Sequence, residues 1–401
     1  MPPVNIVDVS WMAAEAVTVD GHSAPRRPLI VGGSGALGCN LMAFLARTPK
    51  CEWIRLVDRR PPSSSFLPEL ADNTKVEFIE HWLGVDSEEA LTVTMVNVDC
   101  VFAAVTPDVL VAPEQDFYLT NCIGIKRLLN ACVAAGVPRL VYVSSIAVTN
   151  HYVESVSQKE TDPLPLLENY VSPYDKSKRI GEDAVLQASR NGHIAACALR
   201  FGGIISSHRD FVFRFLFTLP GFVITPTAAN TLDCIDVRDA CRAVVMAAQG
   251  LEEQHDSVNG EAFFVTGEPW TPSTTAAVAK ELQYICISLP QVFLGISKVS
   301  SAVLHYLKTA LGYEVPGLPF PKFIAMACFE QTFDNSKVQG TLGFYPKVPK
   351  RETLRHIAAL RLRAEGNFWS WRQAGVILLI PSGLSLVITA LLISIGRTRH
   401  C

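Results

Sequence analysis

Charge is scarce in this sequence. Asp, Glu, Lys and Arg make up 18% of its 401 residues and leave a formal net charge of -3, with no block of Lys and Arg anywhere. Phosphate neutralisation needs clustered cations, so nucleic-acid binding is not indicated. Metal-ligand spacing is missing as well. Eleven cysteines are scattered, without a Cys-x-x-Cys pair or a nearby histidine at ligand distance, so no metal centre is expected. An odd count in a chain this long argues against a disulfide framework and for reduced core thiols in a cytosol-facing protein. Residues 1–27 lack the basic start and apolar run of a signal peptide, carrying Asp8, Glu15 and Asp20 instead, and read as an N-terminal leader. Internal repeats and low-complexity tracts are also absent.

Apolar material, by contrast, is plentiful at 49%, enough for one large domain with a smaller lobe. Short β-branched runs alternate with helical stretches. "PLIV" (28–31), "WIRLVD" (53–58), "VEFI" (76–79), "VDCVFAAV" (98–105), "RLVYVSS" (139–145), "AACALRFGG" (195–203) and "AFFVTG" (262–267) read as strands. Helical patterns fall between them, which predicts an α/β fold with a doubly wound parallel sheet. The dinucleotide-binding body is expected over 28–201 with returning segments at 233–267. Irregular stretches rich in Phe, Leu and Pro at 202–232 and 268–350 form a discontinuous C-terminal substrate lobe, and "FVFRFLFTLP" within it suits a greasy cleft.

The C-terminus is of another kind. Residues 374–396, "AGVILLIPSGLSLVITALLISIG", carry no charge, and at about 1.5 Å per residue they span a bilayer core of roughly 30 Å. Trp369 and Trp371 precede the run, and Lys350, Arg351, Arg355, Arg361, Arg363 and Arg372 lie on its N-terminal side. The expectation is a transmembrane helix at 374–396 after a juxtamembrane linker at 351–373, with the large domain in the cytosol.

Two motifs carry chemistry. "VGGSGALG" sets Gly32, Gly35 and Gly38 between the first strand and the first helix, the context a dinucleotide fingerprint requires, with the pyrophosphate at the helix N-terminus. Asp58 ends the second strand about twenty residues later, where an acid accepts from the ribose hydroxyls. That points to NAD, while Arg59 and Arg60 keep NADP open. In "VSPYDKSKRI", Tyr174 and Lys178 share one face of a helix. An ammonium one turn away favours the phenolate, so Tyr174 comes within range as an acid/base. Ser144 and Ser145 end the fifth strand, at the edge where such a sheet presents its ligand crevice.

Taken together with "FYLTNCIGIKRLLNACVAAGVPRLVYVSSIAV", "CALRFGGII" and "LDCIDVRDACRAVVMAA", these motifs resemble the extended short-chain dehydrogenases/reductases. More narrowly they are similar to the 3β-hydroxysteroid dehydrogenase/isomerase family with its sterol-4-carboxylate 3-dehydrogenase relatives, over about residues 28 to 345. The resemblance implies a Rossmann body and an NAD(P)-dependent oxidoreductase acting on the 3β-hydroxyl or 3-ketone of a steroid or sterol. It implies Tyr174 as acid/base, Lys178 on the nicotinamide ribose, Ser145 on the substrate oxygen and Asn121 as support for the lysine. It also implies a hold on an intracellular membrane, the endoplasmic reticulum, and leaves a homodimer open. Alternatives in substrate are decarboxylating oxidation of a sterol 4-carboxylate and reduction of another bulky ketone; a nucleotide-sensing membrane scaffold is the non-enzyme alternative. Three departures concern the substrate: Trp82 stands where an acid often follows the third strand, with Asp86 only later; Phe201 replaces proline after Leu199-Arg200; and no glycine follows Ser145.

Overall fold

The structure is a computed structural model that describes residues 24–48, 50–62, 75–109, 112–150, 155–170, 172–206, 210, 222–226, 231–281, 285–289 and 330–365. Its body alternates strand and helix from β1 (Pro28–Val31) through α1 (Ala36–Ala46), β2 (Trp53–Asp58), β3 (Lys75–Glu80), α2 (Glu88–Val93), β4 (Cys100–Ala103) and α3 (Glu114–Tyr118). A π-helical turn, Leu119–Gly124, then leads into α4 (Ile125–Ala134), β5 (Arg139–Ser145) and, past a short strand β6 (Ser155–Gln158), α5 (Pro173–Arg190) and β7 (Ala195–Phe201). Seven strands pair in the order β11-β7-β5-β4-β1-β2-β3, with β11 at Ala262–Val265. Every pair in this sheet is parallel. The order reverses between β1 and β4, so a crevice opens beyond the carboxyl ends of those two strands.

Alternation along each strand feeds two cores, as a sheet covered on both faces requires. Ile30, Val141 and Val143 point into one core with Leu41 and Leu45 of α1 and with Val244, Ala247 and Leu251 of α6 (Val237–Glu253). Leu29, Val31, Leu140 and Tyr142 point into the other with Leu91, Leu128 and Val185 from α2, α4 and α5. Helix α5 starts where local chemistry dictates: the Ser172 hydroxyl accepts from the Asp175 N–H at 3.3 Å, and Pro173 occupies the first turn.

A second, five-stranded sheet joins β8 (Gly203–Ile205), β10 (Leu232–Asp236), β12 (Pro269–Trp270), β14 (Gln331–Phe333) and β6. Residues 233–267, expected to return to the dinucleotide-binding body, divide between the sheets: β10 pairs with β8, β12 and β14, while α6 and β11 after it join the large sheet. Strand β6 lies inside the 28–201 body by sequence but pairs with β14. A separate parallel pair joins β9 (Phe222–Pro226) to β13 (Ile285–Leu289). Residues 350–365 are helical. Among the described residues no helix is long and apolar enough to cross a membrane; the run at 374–396, Trp369, Trp371, most of the leader and "FVFRFLFTLP" lie outside them.

Candidate active site

The glycine turn sits at the reversal point. Gly32 has φ +83°, and its N–H donates to the Val57 carbonyl of β2 at 2.8 Å, so only a residue free to adopt that conformation turns the chain from β1 toward α1. Gly38 has another reason to be glycine: a Cβ there would lie 2.2 Å from the Gly32 carbonyl oxygen, so its absence lets α1 press onto the turn. Gly35 caps α1 without a side-chain oxygen. A cavity of about 350 Å³ opens above, lined by Gly32, Ser34, Gly35, Asp58, Trp82 and Thr106 among others. This is a cradle shaped for a pyrophosphate: backbone N–H groups and a helix N-terminus with no Cβ in the way.

Asp58 reaches this cradle, and its carboxylate also accepts the Ser34 N–H at 3.0 Å. The Ser34 hydroxyl donates to the Arg60 carbonyl at 2.6 Å, which ties the glycine turn to the end of β2. Arg59 lies 5.9 Å over the Trp82 ring. The acid that follows β3 comes only later in the chain: Asp86 accepts the Trp82 N–H at 2.6 Å and approaches His81 Nδ1 at 3.9 Å. Burial holds His81 below the usual histidine range, against the pull of Asp86.

The second cluster forms where α5 crosses the end of β5. Tyr174 is half-buried, its ring edge-on to Phe117 at 5.7 Å, and the Ser145 hydroxyl lies close enough to draw its phenol toward the ionised form. That hydroxyl also accepts the Ala147 N–H at 3.1 Å, which caps a short 3₁₀ turn in place of the glycine the resemblance leads one to expect. Lys178 is buried; its ammonium donates to the Val143 carbonyl at 2.6 Å and rests 4.3 Å over the Tyr142 ring. Asn121 sits in the π-helical turn, a distortion frequent at functional sites. Its Nδ2 donates to the Ser177 hydroxyl at 2.9 Å and reaches toward the Thr106 hydroxyl at 3.5 Å, so it joins the catalytic helix to a wall of the cradle. Gly181 lets that helix close in, since a Cβ there would meet the Asn121 carbonyl oxygen at 2.5 Å.

All residues expected from the sequence therefore fall into two adjoining groups. Gly32, Gly35 and Asp58 line the cradle and Gly38 packs beneath it; Ser145, Tyr174, Lys178 and Asn121 meet at α5. Burial pushes the Tyr174 phenol up to about 12, while the Ser145 hydroxyl draws it down and Asp175 draws it up. Sequence reasoning also missed a buried node. Glu182 has no exposure and accepts from Arg200 Nη2 at 2.6 Å, Arg200 Nε at 3.1 Å and the Ser144 hydroxyl at 2.6 Å. Its signal was in plain view, as Tyr174, Lys178 and Glu182 recur every fourth residue. Phe201, the replacement for proline, is buried and pairs in register with Ser145. Among the described residues no group of His, Cys, Asp or Glu could hold a metal ion.

Comparison with known proteins bears on this arrangement. The family model described as "3-beta hydroxysteroid dehydrogenase/isomerase family" matches residues 29–285. The sterol-4-alpha-carboxylate 3-dehydrogenase, decarboxylating, of Candida albicans is 28% identical over 347 residues, 80% of this chain and 93% of its own. The 3beta-hydroxysteroid-dehydrogenase/decarboxylase isoform 1 of Arabidopsis thaliana is 23% identical over 82% of this chain and 77% of its own. Among solved structures, a short-chain dehydrogenase/reductase superfamily protein from Agrobacterium tumefaciens with bound NAD superposes with TM-score 0.61 and 20% identity, covering 84% of this chain and 98% of that one.

Burial gives Lys178 a measurable signature. Its ammonium falls from the ordinary 10.5 to about 7, chiefly through desolvation and against the pull of Glu182. Between those two values the unfolded chain binds more protons than the folded one, so this lysine makes stability rise with pH over that window and imposes its full penalty below about 7. The unfolding free energy of wild type relative to Lys178→Met is expected to move in favour of wild type as pH goes from 7 to 10, by denaturant titration. A difference that stays constant across that range contradicts the burial described.

Proposed function

The chain belongs to the 3-beta hydroxysteroid dehydrogenase/isomerase family, and we propose that it is an NAD-dependent dehydrogenase of the 3β-hydroxyl of a sterol. The observation that carries this is the convergence of Tyr174 and Ser145 at the carboxyl end of β5, with Lys178 one turn behind and the dinucleotide cradle alongside. The cradle fits NAD on its own terms: Gly35 opens α1 at the cavity without a side chain, Gly32 and Gly38 let turn and helix pack closely enough to form it, and Asp58 offers a carboxylate to a ribose and opposes a 2'-phosphate. NAD supplies the acceptor for the hydride from carbon 3.

The protein's own groups do the rest. Ser145 donates to the substrate oxygen and orients it against Tyr174. The phenolic oxygen, in its deprotonated form, would take the hydroxyl proton; the positive charge of Lys178 one turn behind favours that form, and the same lysine would hold the nicotinamide ribose. Asn121, through Ser177, fixes the turn beneath that lysine. The name of the Candida albicans relative favours a sterol bearing a 4-carboxylate, and that of the Arabidopsis thaliana relative also names a decarboxylase. Oxidation at carbon 3 then creates a β-keto acid. Its bond from carbon 4 to the carboxylate breaks, carbon dioxide leaves, and the electron pair passes to the ketone oxygen, which Ser145 and Tyr174 already hold, as an enolate that a proton from water at carbon 4 returns to the 3-ketone.

A substrate that partitions into lipid accords with an anchored enzyme. In this reading residues 374–396 cross the endoplasmic reticulum membrane, leaving the catalytic domain in the cytosol; the charge-free run and the basic residues before it support that orientation.

Two experiments test these readings. Tyr174→Phe is expected to keep NAD affinity and thermal stability while turnover of a 3β-hydroxysterol falls at least about a hundredfold; near-normal turnover would remove Tyr174 from the chemistry. Truncation after Glu365 is expected to release the protein from carbonate-washed membranes that retain the full chain. Retention of the truncated form would place the anchor elsewhere.

A further inference from the structure

Tyr174, Lys178 and Glu182 form one column on α5, and each meets the end of β5. Tyr174 lies beside Ser145, the Lys178 ammonium donates to the Val143 carbonyl at 2.6 Å, and the Glu182 carboxylate accepts from the Ser144 hydroxyl at 2.6 Å. Lysine and glutamate thus clasp consecutive residues of one strand. Both are buried, with Lys178 2% exposed and Glu182 0%. A buried ammonium needs a counter-charge. Among the described residues the groups acting on this one are the Val143 carbonyl, the Tyr142 ring and, one turn along α5, Glu182, itself bonded to Arg200 of β7. Glu182 is the anion among them.

We infer that Glu182 is a positioning residue for cofactor binding: its carboxylate is the counter-charge that keeps Lys178 an ammonium, and Arg200 and Ser144 pin that carboxylate so that it attracts the lysine without capturing it. The two nitrogens of Arg200 and the Ser144 hydroxyl occupy the oxygens of Glu182. Lys178 therefore turns instead toward Val143 and the open end of the strand, where Tyr174 stands. Glu182 pulls the lysine back toward its charged form against desolvation. A purely structural role, tying α5 to β7, would leave the charge of Lys178 out of it.

The inference rests on the reading of Lys178 as the group that holds the nicotinamide ribose, and opposite shifts separate it from mere scaffolding. NAD is titrated calorimetrically into the intact protein from pH 5.5 to 9, without sterol. Affinity is expected to fall as Lys178 loses its proton, with a midpoint near 7 in wild type. Glu182→Gln leaves the Arg200 cation facing the lysine, and the midpoint falls by about one pH unit. Arg200→Met leaves the carboxylate to the lysine alone, and the midpoint rises. The double variant Glu182→Gln/Arg200→Met removes both charges and falls between Glu182→Gln and wild type. It is the deciding comparison if a single variant does not fold. Midpoints that all stay at the wild-type value while thermal stability drops, or single variants that shift the same way, overturn the inference, as does wild-type affinity independent of pH. Midpoints in the expected order from a protein that oxidises no 3β-hydroxysterol support the inference and overturn the substrate reading alone.

Discussion

The Glu182 carboxylate, wholly out of solvent, receives two nitrogens of Arg200 and the hydroxyl of Ser144. Three elements meet in those bonds: α5 supplies the acid, β7 the guanidinium and β5 the serine. Removing one partner of a buried pair commonly costs about 3–5 kcal/mol, because an uncompensated charge remains. Such a bond fixes where α5 lies along β5 more sharply than apolar packing does. The azimuth it sets brings Tyr174 to Ser145 and Lys178 to Val143. Gly181, between the lysine and the glutamate, completes the fit by letting the helix reach the π-helical turn that carries Asn121.

The cradle is organised by a different constraint, the lack of side chains. Gly38 brings α1 against the turn, and Asp58 and Arg60 are tied to that turn through Ser34. Cradle and catalytic column are linked through Thr106, which lines the cavity and lies within reach of the Asn121 amide. The glycine cradle and the Tyr174 column therefore stand at nearby strand ends of one sheet, at the place where its order reverses.

Much of this was legible in the sequence because it is local. The strands at 28–31, 53–58 and 139–145 form as their alternation predicts, and the glycine turn, Asp58 and the Tyr174–Lys178 spacing stand where their motifs put them. What was illegible is non-local. The strand β10 was not read from the sequence, and its place is set by partners far along the chain, at 203–205, 269–270 and 331–333. Glu182 and Arg200 are eighteen residues apart in sequence, and nothing in the chain announces that they meet. The π-helical turn follows from one extra residue in a helical stretch, which periodicity does not register. Nor does spacing report burial, and it is burial that takes Tyr174 up to about 12 and Lys178 down to about 7.

The central claim, hydride removal from carbon 3 of a sterol beside Tyr174 and Ser145, is tested most directly with isotope. A 3β-hydroxysterol 4-carboxylate carrying deuterium at carbon 3 is incubated with the full-length protein and NAD, and both products are weighed by mass spectrometry. The account predicts that the deuterium appears on the reduced nicotinamide, with one carbon dioxide and one 4-decarboxylated 3-ketone formed for each NAD reduced. Deuterium retained in the sterol, or carbon dioxide released without NAD reduction, would contradict it.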